Sequence, residues 1–165
     1  MANPMYGQNK YDNAADDGKH KVMVVTDDTT LTAADSGTTV FVNAAAKVIT
    51  LPAAKAGLNF KVVFGIDTTA GAKISAASGD CFFGTFNVNS TTKAKCSAQS
   101  ITYATATGTV ASYDTLDFTH DSQTLAGKAG DCVEVICIDS IAWMASGALV
   151  TDGNDPDAIA IINAS

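Results

Sequence analysis

A chain of 165 residues has the size of one domain and is long enough to bury a real core. Hydrophobic residues make up 47% of it and charged residues only 16%, so its surface is either bland or partly covered by partners. The net charge of −7, from ten Lys, no Arg, sixteen Asp and one Glu, strongly disfavours the basic face that a nucleic-acid binder needs, and the longest apolar runs fall far short of the ~20 residues that cross a bilayer as a helix.

Residues 1–19 differ from the rest of the chain. Pro4, Gly7, Gly18 and scattered Asn and Asp give no sustained period, while Met5, Tyr6 and Tyr11 are isolated apolar anchors. This reads as an arm that orders on a partner, with Met5, Tyr6 and Tyr11 as its contact residues. No apolar signal core is present there, so no Sec-type export signal is expected. Residues 20–165 are expected to form the folded domain.

Val22 to Thr26 reads as a first strand, followed by a turn at Asp27–Thr30 and a lead-in at Leu31–Ala34. The stretch from Asp35 to Ile66 states the plan most clearly. Val40 and Val42 alternate with Thr39, Phe41 and Asn43; Ile49 and Leu51 with Val48 and Thr50; Phe60, Val62, Phe64 and Ile66 with Asn59, Lys61, Val63 and Gly65. A period of two sends successive side chains to opposite faces, which predicts strands with one face for a core. Burying the last four at roughly 1.5–3 kcal/mol each gives a gross ~6–12 kcal/mol before conformational entropy is charged. Only Asn43–Lys47 and Pro52–Ala56 suggest helix, a turn or so each.

Further along, Lys73–Ala77 is a short strand. In Cys81–Val88 the residues Phe82, Phe86 and Val88 share a face, with Gly84 at a bulge or a close approach. Residues 89–99 are polar and read as a surface loop. Ile101–Val110 and Tyr113–Asp121 alternate again, the turn at 127–131 leads into the apolar strand Cys132–Ile138, and Ile141, Trp143 and Ala145 share one face of the next strand. Asp152–Asp157 is a loop and Ala158–Ile162 a final strand. Nine or ten short strands separated by turns predict an all-β fold, a single antiparallel sandwich or jelly-roll-like domain with an extended N-terminal arm.

Motifs for chemistry are sparse. Asp152, Asn154, Asp155 and Asp157 offer oxygen ligands of the kind Ca²⁺ takes, but the EF-hand order is absent and Pro156 breaks the run, so a solvated turn is expected and no metal is assigned. Asp27-Asp28 and Asp16-Asp17 are weaker still. There is no GxSxG, and the two histidines, His20 and His120, lack a marked nucleophile. No phosphate loop is present. Catalytic and cofactor-binding residues are therefore assigned to none, and the chain is not expected to be an enzyme. Asp in place of Glu fits turns rather than helices. Trp143 suits a core or an interface better than a sugar-stacking platform. Cys81, Cys96, Cys132 and Cys137 show no metal spacing and read as small buried hydrophobes. Cys132 and Cys137 are five apart in one strand and so face opposite ways; a Cys81–Cys96 link is open, although a reducing cytosol opposes it.

The run Leu31-Thr-Ala-Ala-Asp-Ser-Gly, then Val40-Phe-Val-Asn-Ala, Val48-Ile-Thr-Leu-Pro and Ala56-Gly-Leu before Phe60, resembles a pattern in tailed-bacteriophage virion proteins. These are head decoration (cement) proteins, head fibres and related particle-surface β-domains, many from marine and cyanobacterial phages. Gly130-Asp131-Cys132-Val133-Glu134-Val135, with Trp143 and Gly147 beyond, is similar to the end of the same domain, and the likeness departs at Ser140-Ile141-Ala142. The resemblance implies a structural protein made in the host cytoplasm and carried on the outer surface of the capsid. There it would cement the shell as a homotrimer bridging major capsid subunits, with no cofactor, nucleic acid or membrane as partner. The alternative it leaves is a host-recognition, fibre or tail component that binds glycans or receptors.

Overall fold

A computed structural model describes residues 21–68, 70–90, 96–101, 113–118, 126–151 and 160–162. Within these the chain is mostly β, arranged in two sheets. The strands are β1 (Val22–Val25), β2 (Thr29–Thr30), β3 (Thr38–Val42), β4 (Val48–Thr50), β5 (Asn59–Phe64) and β6 (Ala72–Ser75). They continue with β7 (Cys81–Ser90), β8 (Cys96–Ile101), β9 (Thr115–Phe118), β10 (Cys132–Cys137), β11 (Ala142–Thr151) and β12 (Ala160–Ile162). A seven-stranded sheet runs β1-β3-β5-β10-β11-β7-β8 and a five-stranded sheet runs β12-β9-β6-β4-β2.

The first six strands alternate between the two sheets. β1, β3 and β5 lie side by side and parallel in one, with Val22 opposite Thr39 and Thr38 opposite Phe60. β2, β4 and β6 do the same in the other, with Thr29 opposite Ile49 and Val48 opposite Lys73. The chain therefore winds, and each strand crosses to the opposite sheet before its parallel neighbour is laid down. From β7 onward the winding is closed off. β10 inserts antiparallel between β5 and β11, β9 runs antiparallel to β6, and β11 lies parallel to β7.

The expected antiparallel domain is thus corrected to a mixed one. Alternation fixes which side chains face inward but carries no information on strand direction, and parallel neighbours need a crossover that tight turns do not announce. Four smaller expectations also change. Residues 89–99 are not one loop: β7 runs on to Ser90 and β8 begins at Cys96. Thr29–Thr30 is a short strand rather than part of a turn. Neither Asn43–Lys47 nor Pro52–Ala56 is helical, and the one helical turn among the described residues is a 3₁₀ turn at Ala33–Asp35. Ile141 lies in the turn before β11 and is exposed, so it does not share the inner face with Trp143.

Both sheets feed one buried cluster. Val40, Val42, Phe60, Val62 and Phe64 enter it from the large sheet, and Ile49, Ile74, Leu116 and Phe118 from the small one. Phe64 meets Phe118 between them with ring centroids 5.2 Å apart. Gly84 is the close approach its place among Phe82, Phe86 and Val88 suggests: its φ is +145°, and a Cβ would stand 1.8 Å from the Ala145 carbonyl oxygen. No helix among the described residues is long and apolar enough to cross a membrane.

Candidate functional site

The carboxylates, the obvious place to look for chemistry, are largely committed to the backbone. Asp131 is buried; its Oδ2 accepts from the Gly127 and Lys128 amides at 2.9 and 3.0 Å and its Oδ1 from Val150 at 2.9 Å. One side chain thus ties the turn before β10 to the end of β11. Asp139 caps the β10–β11 turn by accepting from the Ile141 and Ala142 amides, both at 2.8 Å. Asp28 accepts from Val48, Asp67 from Ala129 and Asp80 from Ala54. Asp27, next to Asp28, pairs with Lys47 at 3.5 Å.

Asp35 follows the same pattern in the 3₁₀ turn. Its carboxyl is lowered to about 2 by the Thr32 hydroxyl at 2.7 Å, then by the Thr32 amide at 3.0 Å and by Lys21 at 3.1 Å. Such a carboxylate holds a loop; it is too weak a base to move protons near neutrality. Among the described residues no group of three His, Cys, Asp or Glu is placed to hold a metal.

The cysteines sort by face. Cys137 points into the core and Cys132 outward from the same strand, and both are free thiols, as is Cys81. Burial pushes the Cys81 thiol up, and the carboxylates of Asp139 and Asp80 push it further; burial also raises Cys137. Neither is poised as a nucleophile. Trp143 is wholly buried 6.0 Å from the Phe60 ring, and its indole Nε1 has no hydrogen-bond partner among the described residues. It offers no face to a ligand.

Met5, Tyr6 and Tyr11, the predicted contact residues, lie outside the described residues, as do His20, His120, Asp16, Asp17 and the Asp152–Asp157 loop. What the fold does bring together is the outer face of the seven-stranded sheet. The register lines up Val24, Phe41, Val63, Cys132 and Ala148 in a single row across β1, β3, β5, β10 and β11. Val24 is 63% exposed and its neighbour on the same face, Val22, 60%. The adjacent row holds Thr39, Lys61, Glu134 and Ser146, where Lys61 and Glu134 sit directly opposite and pair at 3.2 Å. Beyond it Ile136, Met144 and Phe83 make a second apolar row. Two shallow depressions of about 330 and 400 Å³ open on this same face, one beside Thr39, Lys61 and Ile136, the other beside Phe83, Thr85 and Met144.

Individually these positions are ordinary members of alternating strands, and no motif marks them. The signal available in the sequence was that Phe41 and Val63 are apolar on the side the alternation assigns to solvent. No family model matches this chain, and no curated protein or solved structure does either.

Proposed function

We propose that this is a structural protein of a phage particle that decorates and cements the outer capsid surface as a homotrimer bridging major capsid subunits. The observation that carries the assembly half is the outer face of the large sheet: extended, apolar in two of its rows and, among the described residues, free of unpaired charge on a molecule of net charge −7. A surface of that kind suits contact with protein. The virion half rests on the resemblance over Leu31 to Gly147, and the residues that carry it are the ones that build the domain. Gly130 turns at a φ of +97°, Asp131 staples β10 to β11, Trp143 fills the core, and Gly147 leaves room for the Cys132 carbonyl.

In this reading the two sheets form a sandwich, wound rather than jelly-rolled, that serves as a rigid body. Three linked copies each make a modest contact with the shell, and linkage raises their effective concentration there. Because the trimer binds only assembled subunits, occupancy stabilises the shell by mass action. Residues 1–19, through Met5, Tyr6 and Tyr11, dock on the capsid and take on order as they bind.

Co-sedimentation of the purified protein with undecorated shells tests this. Saturable binding by a trimer, with the shells then resisting heat, is expected; deleting residues 1–19 should leave a folded trimer that no longer sediments with them. A protein that ignores shells overturns the cement role and favours the fibre or receptor-binding alternative.

A further inference from the structure

We infer that the outer face of the seven-stranded sheet is where copies of this chain meet, with Val24, Phe41, Val63 and Cys132 in the contact. The inference rests on the proposed function only in that the chain self-associates, and adds the surface.

Area, charge and position point to a second copy as the occupant. Seven strands at about 4.8 Å spacing, six residues long at about 3.3 Å per residue in β5 and β10, present a plane on the order of 600 Å². The solvent-accessible surface of a corrugated face exceeds its plane, which brings it to the ~800 Å² per partner of a standard stable interface. Molecules that each carry −7 repel on average, so copies must meet where no net charge is stacked. On the described part of this face the charged residues are Lys61 and Glu134, and they neutralise each other. The other described acids lie outside the strands and off this face, except Asp117, which belongs to the small sheet and pairs there with Lys73. The same arrangement explains why Val22 and Val24 stay exposed on an edge strand, where charge usually guards against unwanted pairing: on a covered face a charge would be buried without a partner.

Cys132 makes the contact measurable, because it lies in an outward apolar row while Cys81 and Cys137 are buried. In a Cys96→Ser background, thiol labelling of Cys132 with a maleimide should be at least tenfold slower in the assembled protein than in a dissociated variant. Val63→Lys and Val24→Lys should each lower the mass seen by light scattering from oligomer to monomer while leaving the circular dichroism spectrum and melting cooperativity intact. Thr50→Lys, on the outer face of the small sheet, should leave the oligomer unchanged. A wild-type protein that is monomeric at 100 μM (on the order of 10⁻⁴ M, weaker than specific assemblies), or an oligomer whose mass neither lysine variant alters, overturns the inference. All of this is read without shells. An oligomer broken by these lysines that nevertheless ignores capsids keeps the inference and sinks the cement role, and a shell-binding monomer does the reverse.

Discussion

The outer face of the seven-stranded sheet and that of the five-stranded sheet arise from the same period-two sequence, yet their chemistry differs. On the large sheet the outward positions include Val24, Phe41, Val63, Ile136 and Met144, with a row between them that holds Thr39, Ser146 and one internally neutral ion pair. On the small sheet they include Thr50, Ser75 and Thr115 with one apolar residue, Val48, and with Lys73 and Asp117, whose charged atoms lie 3.7 Å apart; the Ser75 and Thr115 hydroxyls meet at 3.3 Å. Both inner faces are equally apolar, so a common core does not account for the contrast. Water is an adequate partner for hydroxyls and a poor one for a row of valines and a phenylalanine. The difference identifies which side of the molecule gains from being covered.

The sharpest way to break the comparison is to break the large sheet itself. Gly84→Val would drive a side chain into the Ala145 carbonyl at a φ that L-residues avoid, and should cost about 3 kcal/mol or more, read as a lower urea midpoint. The assembly should fail with it. Asp131→Ala should come next, at about 2–4 kcal/mol, because three backbone amides lose their acceptor where water cannot easily replace it. Asp131→Asn should recover part of that loss.

A gentler test turns one face into the other. Replacing Thr50, Ser75 and Thr115 together with Val should change monomer stability by about 1 kcal/mol or less, yet add concentration-dependent association that sedimentation velocity detects. If that variant stays at the wild-type mass, outward apolarity is not what governs assembly. Lys61→Ala leaves Glu134 alone on the large sheet's face and should cost about 0.5 kcal/mol, an effect that 0.5 M salt removes because both side chains are well exposed.

The smallest effect is set by pH. The Asp35 carboxyl is lowered to about 2 from its ordinary 3.8, so its contribution is complete above pH ~4 and is lost as the pH falls toward 2. Thr32→Val removes the first of the groups holding it down, and should flatten the acid limb of a stability–pH curve between pH 4 and 2. A limb as steep as in the wild type would assign it to other carboxylates.

Much of the core was legible in the residue pattern alone. Val40 and Val42, Phe60, Val62 and Phe64, and Phe82, Phe86 and Val88 are buried where alternation puts them. β8 was hidden because Ala98 and Ser100 on this edge strand are exposed and its one large apolar residue, buried Ile101, stands at its very end, so a polar string carried no alternating signal. Ile141 misled for the opposite reason: it is apolar and in phase with Trp143, but the Asp139 turn claims its amide first. Asp131 looked like turn chemistry and is that, but its bond to Val150 spans 19 residues and has no local trace. The outer apolar row was the least legible, since Val24, Phe41, Val63 and Cys132 come from four strands and become neighbours only through register.

By itself, then, the sequence determined that this chain makes strands, which side chains most of those strands bury, and that most of its acids belong to turns. Those properties follow from the two-residue repeat of the extended backbone and from the short reach of the Asp side chain, both local. Tertiary structure decided that the first six strands wind between two sheets so that alternate strands lie parallel, and that one outward face carries rows of apolar side chains where the other carries mainly hydroxyls. These depend on where the chain returns after each crossing, and a return spanning some twenty residues is selected by the closing of the whole core rather than by any stretch within it.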